Sequence, residues 1–360
     1  MEVAFRRTNG IYNMYTVSVD GGDLMPVSAS DSSSVFALSY FPKDERMLFN
    51  MDNNGDEIDH IYIRNTDGSN KNLTPDIGAK ASFYGWAKDK KSFLYTSNKR
   101  DKRFTDLYEM DLETFTPSLL YKNEGGYYIG PISDDKNFVT LIKPINTNDA
   151  DLFLYNRKDK SMTKINENQS ANSGEDFSPD GSSLYYTTDD GAEFAYLMKY
   201  NIADKTREKV MERKWDIVGS YFTENGTYQV TYINQDAKND IEVMEVSTGK
   251  NIELPTFDSM DITDVRFSDD EKLMRFYAGG SQTPSNLYVY NLETKEKIQL
   301  TDVLNKEIQG QDLVTAEVIR YSSFDGVEIP AIYYKPHQAT ADKQVPALVW
   351  GHGGPGGQSR

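Results

Sequence analysis

Phe177-Ser-Pro-Asp180-Gly181-Ser-Ser183-Leu-Tyr-Tyr-Thr187 joins an aromatic residue, a polar turn and an apolar run. The same turn recurs as Phe41-Pro-Lys-Asp44, Trp86-Ala-Lys-Asp89, Ile132-Ser-Asp-Asp135, Phe222-Thr-Glu-Asn225 and Phe267-Ser-Asp-Asp270. Its last positions, 44, 89, 135, 180, 225 and 270, are 45, 46, 45, 45 and 45 residues apart. Asp or Asn suits such a turn because its side chain accepts a backbone N–H two residues on and tolerates left-handed geometry. Gly181 and Gly226 follow it in two copies and take φ > 0 without strain. The aromatic residue ends one strand and the apolar run begins the next.

A second series follows about 17 residues later: Asp106-Leu-Tyr-Glu-Met110, Asp151-Leu-Phe-Leu-Tyr155, Asp240-Ile-Glu-Val-Met244 and Asn286-Leu-Tyr-Val-Tyr290. His60-Ile-Tyr-Ile63 and Tyr196-Leu-Met-Lys-Tyr200 complete it. These runs have the apolar and β-branched content of strands. Polar turns such as Asp67-Gly68 and Ser247-Thr-Gly249 come next, then a fourth short strand near Leu73, Leu120, Ile165, Val210, Leu254 and Leu300. Four antiparallel strands in about 45 residues are one blade of a β-propeller. The segments are too short and too rich in β-formers for a helical solenoid. The repeated aromatics are expected to pack between blades.

Six repeats run from about residue 29 to 304. Before them, Val3-Ala-Phe5, Asn13-Met-Tyr-Thr-Val17 and Leu24-Met-Pro-Val27 match strands two to four of a further blade. The expected fold is therefore all-β, a seven-bladed propeller over residues 1–310 with its first blade incomplete. The missing strand would come from elsewhere in the chain or from a lost N-terminal segment.

Composition narrows the function. The 360 residues carry 39 Lys+Arg against 56 Asp+Glu, a net charge of −17. With no basic run to offset it, a nucleic-acid partner is not expected. Zero cysteines exclude disulfides, thiol nucleophiles and cysteine zinc sites. No apolar run approaches the roughly 18 residues of a membrane helix. Asp52-Asn-Asn-Gly-Asp56 resembles part of a calcium loop, but Glu57 stands where that loop needs glycine, so a hairpin loop is expected.

The rhythm stops after Leu300, and residues 303–312 form a polar connector. Strands are expected at Val314–Tyr321, Val327–Tyr334 and Val345–Trp350, with Asp325-Gly326 as a tight hairpin turn. The third, a buried-strand pattern, runs into Gly351-His-Gly-Gly-Pro-Gly-Gly357. A strand emptying into a glycine-rich loop headed by histidine is the oxyanion-loop arrangement of α/β-hydrolases. Its glycines let backbone N–H groups face a developing negative oxygen.

A propeller followed by Ile319-Arg-Tyr-Ser-Ser-Phe-Asp-Gly-Val-Glu-Ile-Pro-Ala-Ile-Tyr-Tyr-Lys-Pro336 and His352-Gly-Gly-Pro-Gly-Gly357 resembles the prolyl oligopeptidase family of serine peptidases. Within it, the chain is most similar to the acylaminoacyl-peptidase and dipeptidyl-peptidase-like branch. The resemblance implies that residues 311–360 are the N-terminal fragment of an α/β-hydrolase peptidase domain, with the propeller gating access for short peptides. It implies that Gly354, or its neighbour Gly353, lends a backbone N–H to the oxyanion, with His352 and Pro355 supporting the loop. It implies no cofactor or metal, and it places the Ser, Asp and His triad beyond Arg360.

No complete Gly-x-Ser-x-Gly occurs in the chain; Gly357-Gln-Ser359-Arg360 begins one but does not follow a strand of its own. His60 and His337 read as structural or solvated residues. There is no Glu-Glu dipeptide of the kind with which dipeptidyl peptidases of this family hold a substrate amine. The alternative reading is a non-catalytic propeller module, similar to TolB, that binds a protein or peptide. Compartment, specificity and homo-oligomer formation are left open by the sequence.

Overall fold

Five of the six turns of the first series close in the same way. Backbone N–H groups of Arg46, Lys91, Asn137, Ser182 and Lys272 donate to the carboxylates of Asp44, Asp89, Asp135, Asp180 and Asp270 at 2.9–3.2 Å. In five of the turns the residue after the Asp or Asn is left-handed: Lys90, Lys136, Gly181, Gly226 and Glu271 have φ between 55° and 72°. Lysine and glutamate thus occupy a position where only two repeats supply glycine, and the expected left-handed Asp is not found. The five aspartate side chains secure the turn locally, which offsets the steric penalty.

The computed structural model describes residues 2–8, 10–354 and 357–360. Six four-stranded antiparallel sheets begin at Val35, Ala81, Tyr128, Asn172, Asp216 and Asp261, spaced by 46, 47, 44, 44 and 45 residues. One of them pairs Asn172–Phe177, Ser183–Thr188, Tyr196–Asn201 and Arg207–Met211 in that order. These are six propeller blades. Glu2–Thr8, Ile11–Val17 and Met25–Pro26 form a separate three-stranded sheet. Helical structure among the described residues is confined to a short 3-10 turn at Gly310–Asp312.

Two compact units are distinguished: Met1–Lys143 with Leu152–Lys164, and Pro144–Asp151 with Ile165–Arg360. In the first unit, Phe41, Leu48, Ile61 and Ile63 of one sheet pack against Ala81, Phe93, Tyr95 and Met110 of the next. In the second, Val230 and Val243 pack against Val265, Met274, Phe276 and Tyr288. The repeated aromatics lie in these interfaces, where burial of large apolar area stabilises best.

Polar links at the repeat distance join the first strands of successive sheets. Within the first unit Trp86 Nε1 donates to Ser39 Oγ at 2.9 Å, and Tyr84 Oη to the Gly130 carbonyl at 2.7 Å. Within the second, Asp176 accepts the Phe222 N–H at 2.7 Å, and Tyr221 Oη donates to the Val265 carbonyl. Each of the six first strands also carries a register shift. Glu175 is the unpaired residue in one of them, between Gly174 and Asp176.

Glu175 is half-buried as a residue, and its carboxylate is turned inward. It accepts Thr187 Oγ1 at 2.7 Å and the Ser220 N–H at 3.4 Å. Loss of solvent outweighs these donors and pushes its pKa up, and the neighbouring Asp176 charge adds to the rise. A raised pKa favours the fold at pH values below the ordinary carboxylate range, and this contribution fades as pH rises through the shifted value. Glu175→Gln keeps an acceptor for Thr187 and removes the titration. Thermal melts from pH 4 to 8 are expected to show the variant gaining on the parent as pH rises. A constant difference would contradict the assignment.

The hairpin expected after the repeats forms as Ala316–Ser322 paired with Glu328–Tyr334. Its turn is wider than the two-residue form. Ser323 N–H donates to the Val327 carbonyl at 2.8 Å, and Gly326 alone is left-handed, with φ 86°. The third expected strand does not form: Val345–Trp350 joins no sheet, and Leu348, Val349 and Trp350 are 91%, 92% and 80% exposed. A buried strand needs neighbours for its backbone groups and side chains. None of the described residues provides them.

Candidate functional site

The second series contains a role that its strand pattern does not reveal. In the blades a polar residue near the start of the third strand ties down the chain just beyond the fourth, and Asn13, in the second strand of the three-stranded sheet, holds the chain beyond that sheet's last strand in the same way. Asn13 accepts Ser28 Oγ and the Ser30 N–H at 2.8 and 2.7 Å. His60 Nδ1 meets the Thr74 carbonyl. Asp151 accepts Asn166 Nδ2 at 3.0 Å, and Asn286 accepts the Val303 N–H at 3.0 Å. The most buried case is Asp106, fully enclosed, which accepts the Asn123 N–H at 2.7 Å and both Nε and Nη2 of Arg100 at 2.6 and 2.8 Å. His60 is thereby a structural residue, as its position in the repeat suggested. The recurrence of Asp or Asn at one repeat position was the available signal.

A cavity of about 670 Å³ opens in the second unit, between the turn Asp190–Phe194 and the segment Lys209–Trp215. The seven residues between Thr188 and Tyr196 form this turn. Two residues serve at Asp236–Ala237. Phe194 and Trp215 have ring centroids 5.8 Å apart at 44°. Arg213 is engaged by Glu242 through contacts of 2.7 and 2.6 Å, and Lys209 by Glu212 at 3.2 Å and by the Tyr196 ring. Asp190 accepts Asn168 Nδ2 at 2.9 Å. The side chains of Glu193 and Lys214 make no such contact with described residues. Aromatic surface with a few uncommitted polar groups is the usual lining of a small-ligand pocket. The length of the turn was the sequence signal for it.

The loop headed by His352 lies on the surface of the same unit. Gly354 has φ 76°, and its carbonyl accepts the Gly357 N–H at 3.1 Å. His352 Nδ1 lies 2.7 Å from the Gly353 carbonyl. A Cβ on Gly357 would come within 2.2 Å of the His352 ring, so glycine is required there for the ring to fold over the turn. Gly353 and Gly354 are exposed, with open space around both. Pro355 falls outside the described residues. His337 Nε2 lies 3.2 Å from the Leu313 carbonyl, and Ser359 is exposed. The Asp52–Asp56 loop is a self-bonded hairpin loop, in which Asp52 and Asp56 accept the N–H groups of Glu57 and Asn53.

Residues 26–303 match the prolyl oligopeptidase N-terminal β-propeller domain, and the chain belongs to that family. Dipeptidyl aminopeptidase BIII of Pseudoxanthomonas mexicana is 24% identical over 368 residues, covering 96% of this chain and 52% of that protein. The chain thus spans about half the length of the curated relative it matches. Among solved structures, a puromycin hydrolase superposes with a TM-score of 0.71 at 14% identity, covering 96% of this chain and 58% of that one. Prolyl oligopeptidase B from Galerina marginata gives 0.64 at 17% identity, covering 91% and 53%. These superpositions concern the fold.

Proposed function

We propose that this chain is the propeller and the first hydrolase strands of a serine peptidase that cleaves short peptides. The observation that carries the reading is the family match over residues 26–303 in a chain spanning about half of a dipeptidyl aminopeptidase. The three-stranded sheet is then a seventh blade lacking its first strand. Asn13 supports this, because it ties down residues 28 and 30 as Asp106 and Asn286 do in their blades. The hairpin Ala316–Tyr334 opens the catalytic domain, and exposed Leu348, Val349 and Trp350 await the neighbouring strands of that domain.

In the assembled enzyme, a serine on the half that the relatives possess in addition attacks the scissile carbonyl while histidine moves its proton and aspartate orients the histidine. The Gly354 N–H, with Gly353 beside it, helps hold the oxyanion. The propeller gates entry. Cavity residues Phe194 and Trp215 supply an aromatic surface for the peptide.

The test compares this 360-residue chain with a form extended by the C-terminal half that its relatives possess. A chromogenic peptidyl substrate and a fluorophosphonate serine probe supply the readouts. The extended form is expected to turn over substrate and take up label, and the 360-residue chain to do neither. Turnover by the short chain would sink the reading. A silent extended form would also sink it and leave the binding-module alternative.

A further inference from the structure

The two-residue turn Asp236–Ala237 is built against local preference. Both residues are left-handed, with φ 50° and 66°, where hairpins of this type favour Asn-Gly. Alanine is disfavoured there by its Cβ. The turn nevertheless projects Asp236 at the tip of the strands Tyr228–Gln235 and Lys238–Glu245. Its Oδ1 lies 2.6 Å from Arg320 Nη2, in the first strand of the tail hairpin. The flanking residues face the same tail: Asn234 Nδ2 donates to Gln358 Oε1 at 2.9 Å, and Arg360 donates to Asn239.

The corresponding turn of the following sheet holds the start of the hairpin. Ser281 Oγ accepts the Ala316 N–H at 3.0 Å, and Gln282 Nε2 donates to the Leu313 carbonyl at 3.2 Å. Residues 316 and 320 are four apart on one strand, roughly 13 Å at the rise of an extended chain. Two neighbouring turns therefore grip one strand at two points. Arg320 also lies 3.2 Å from Glu328 on its own hairpin, so release from Asp236 leaves the guanidinium with a partner.

We propose that Asp236–Ala237 is a latch for the hairpin Ala316–Tyr334, with Arg320 as its bolt. The Ser281–Gln282 turn is the fixed point and the Asp236–Arg320 pair is the releasable one. Each member of the pair is about one-third exposed, at 31% and 37%, so the pair has the modest strength of a surface ion pair, suited to opening and closing. The latch sets the direction in which the chain leaves the last sheet. It does not depend on the peptidase reading, since its test measures no activity.

Hydrogen exchange of residues 316–334 in the 360-residue chain is the readout. Asp236→Arg is expected to speed it about fivefold, the effect of one partly exposed ion pair, and Arg320→Asp to speed it more, because it also removes the contact with Glu328. Because Arg320→Asp also loses Glu328, the double exchange of charges is expected to slow exchange relative to Arg320→Asp alone without reaching the parent rate. Strand Leu273–Gly280 serves as the folding control, and Arg320→Gln is the milder variant should a reversed charge disturb it. Unchanged exchange in the single variants, or a double variant as fast as Arg320→Asp alone, would overturn the proposal.

Discussion

Asp106→Ala is expected to destabilise the first unit by about 2–3 kcal/mol, the cost of leaving a buried backbone N–H without its acceptor beside a partly exposed guanidinium. Asp106 has no exposed surface and gathers four donors: Arg100 Nε and Nη2, the Asn123 N–H, and Tyr108 Oη at 3.3 Å. Removing the carboxylate leaves the Asn123 N–H without its acceptor and takes two of the contacts of the partly exposed Arg100 guanidinium. Arg100 keeps one bond, from Nη2 to the Asn123 carbonyl at 2.7 Å. Arg100→Ala strands the carboxylate instead, so the two variants are expected to be strongly non-additive. Hydrogen exchange in Ser92–Asp101 and Phe104–Asp111 under increasing urea measures the loss locally. Additive losses, or a loss near that of an exposed ion pair, would show that Asp106 does not hold the strands.

Phe276→Ala is expected to cost about 3–5 kcal/mol in the second unit. The ring is fully buried between strands. It stacks on its cross-strand partner Tyr288 at 5.6 Å and 6°, and Phe257 approaches it edge-on at 5.8 Å and 71°. Truncation removes both ring contacts and leaves a void beside Val243, Val265 and Met274 that the surrounding sheets cannot collapse into. Phe276→Leu keeps most of the volume and is expected to lose only about 1 kcal/mol. Urea midpoints of the two variants make the comparison. Equal losses would mean that ring stacking and cavity size do not matter at this position.

Much of the fold was legible because a blade's needs are local. A turn Asp or Asn, an aromatic or aliphatic residue three before it and two apolar runs repeat in register, so the six four-stranded sheets follow from spacing alone. Fourth strands were less legible. Leu73, Ile165, Leu254 and Leu300 were expected inside them, yet these residues lie just past Asn70–Asn72, Met162–Lys164, Lys250–Asn251 and Lys297–Gln299. There Leu73 and Leu300 still donate single ladder bonds, to the Ile61 and Leu287 carbonyls at 2.8 Å. Their side chains are buried after the regular pairing has ended. The candidate site was legible only as a motif. Gly353, Gly354 and His352 lie in an exposed loop, and the strand expected to precede them does not form among the described residues.

By itself, then, the sequence determined the period, the strand order within a blade and the turn chemistry, because each depends on contacts within a few residues. The tertiary structure decided which polar residues hold the repeats together. Asp106, Glu175 and Asp236 are three acids of the same charge, and nothing in their near neighbours separates them. One is sealed against Arg100, one is pressed into a sheet by its bulge, and one stands at a turn tip facing Arg320. Burial and partners set what a carboxylate does; Arg100 lies six residues from Asp106, while Ser220 and Arg320 reach Glu175 and Asp236 from far along the chain.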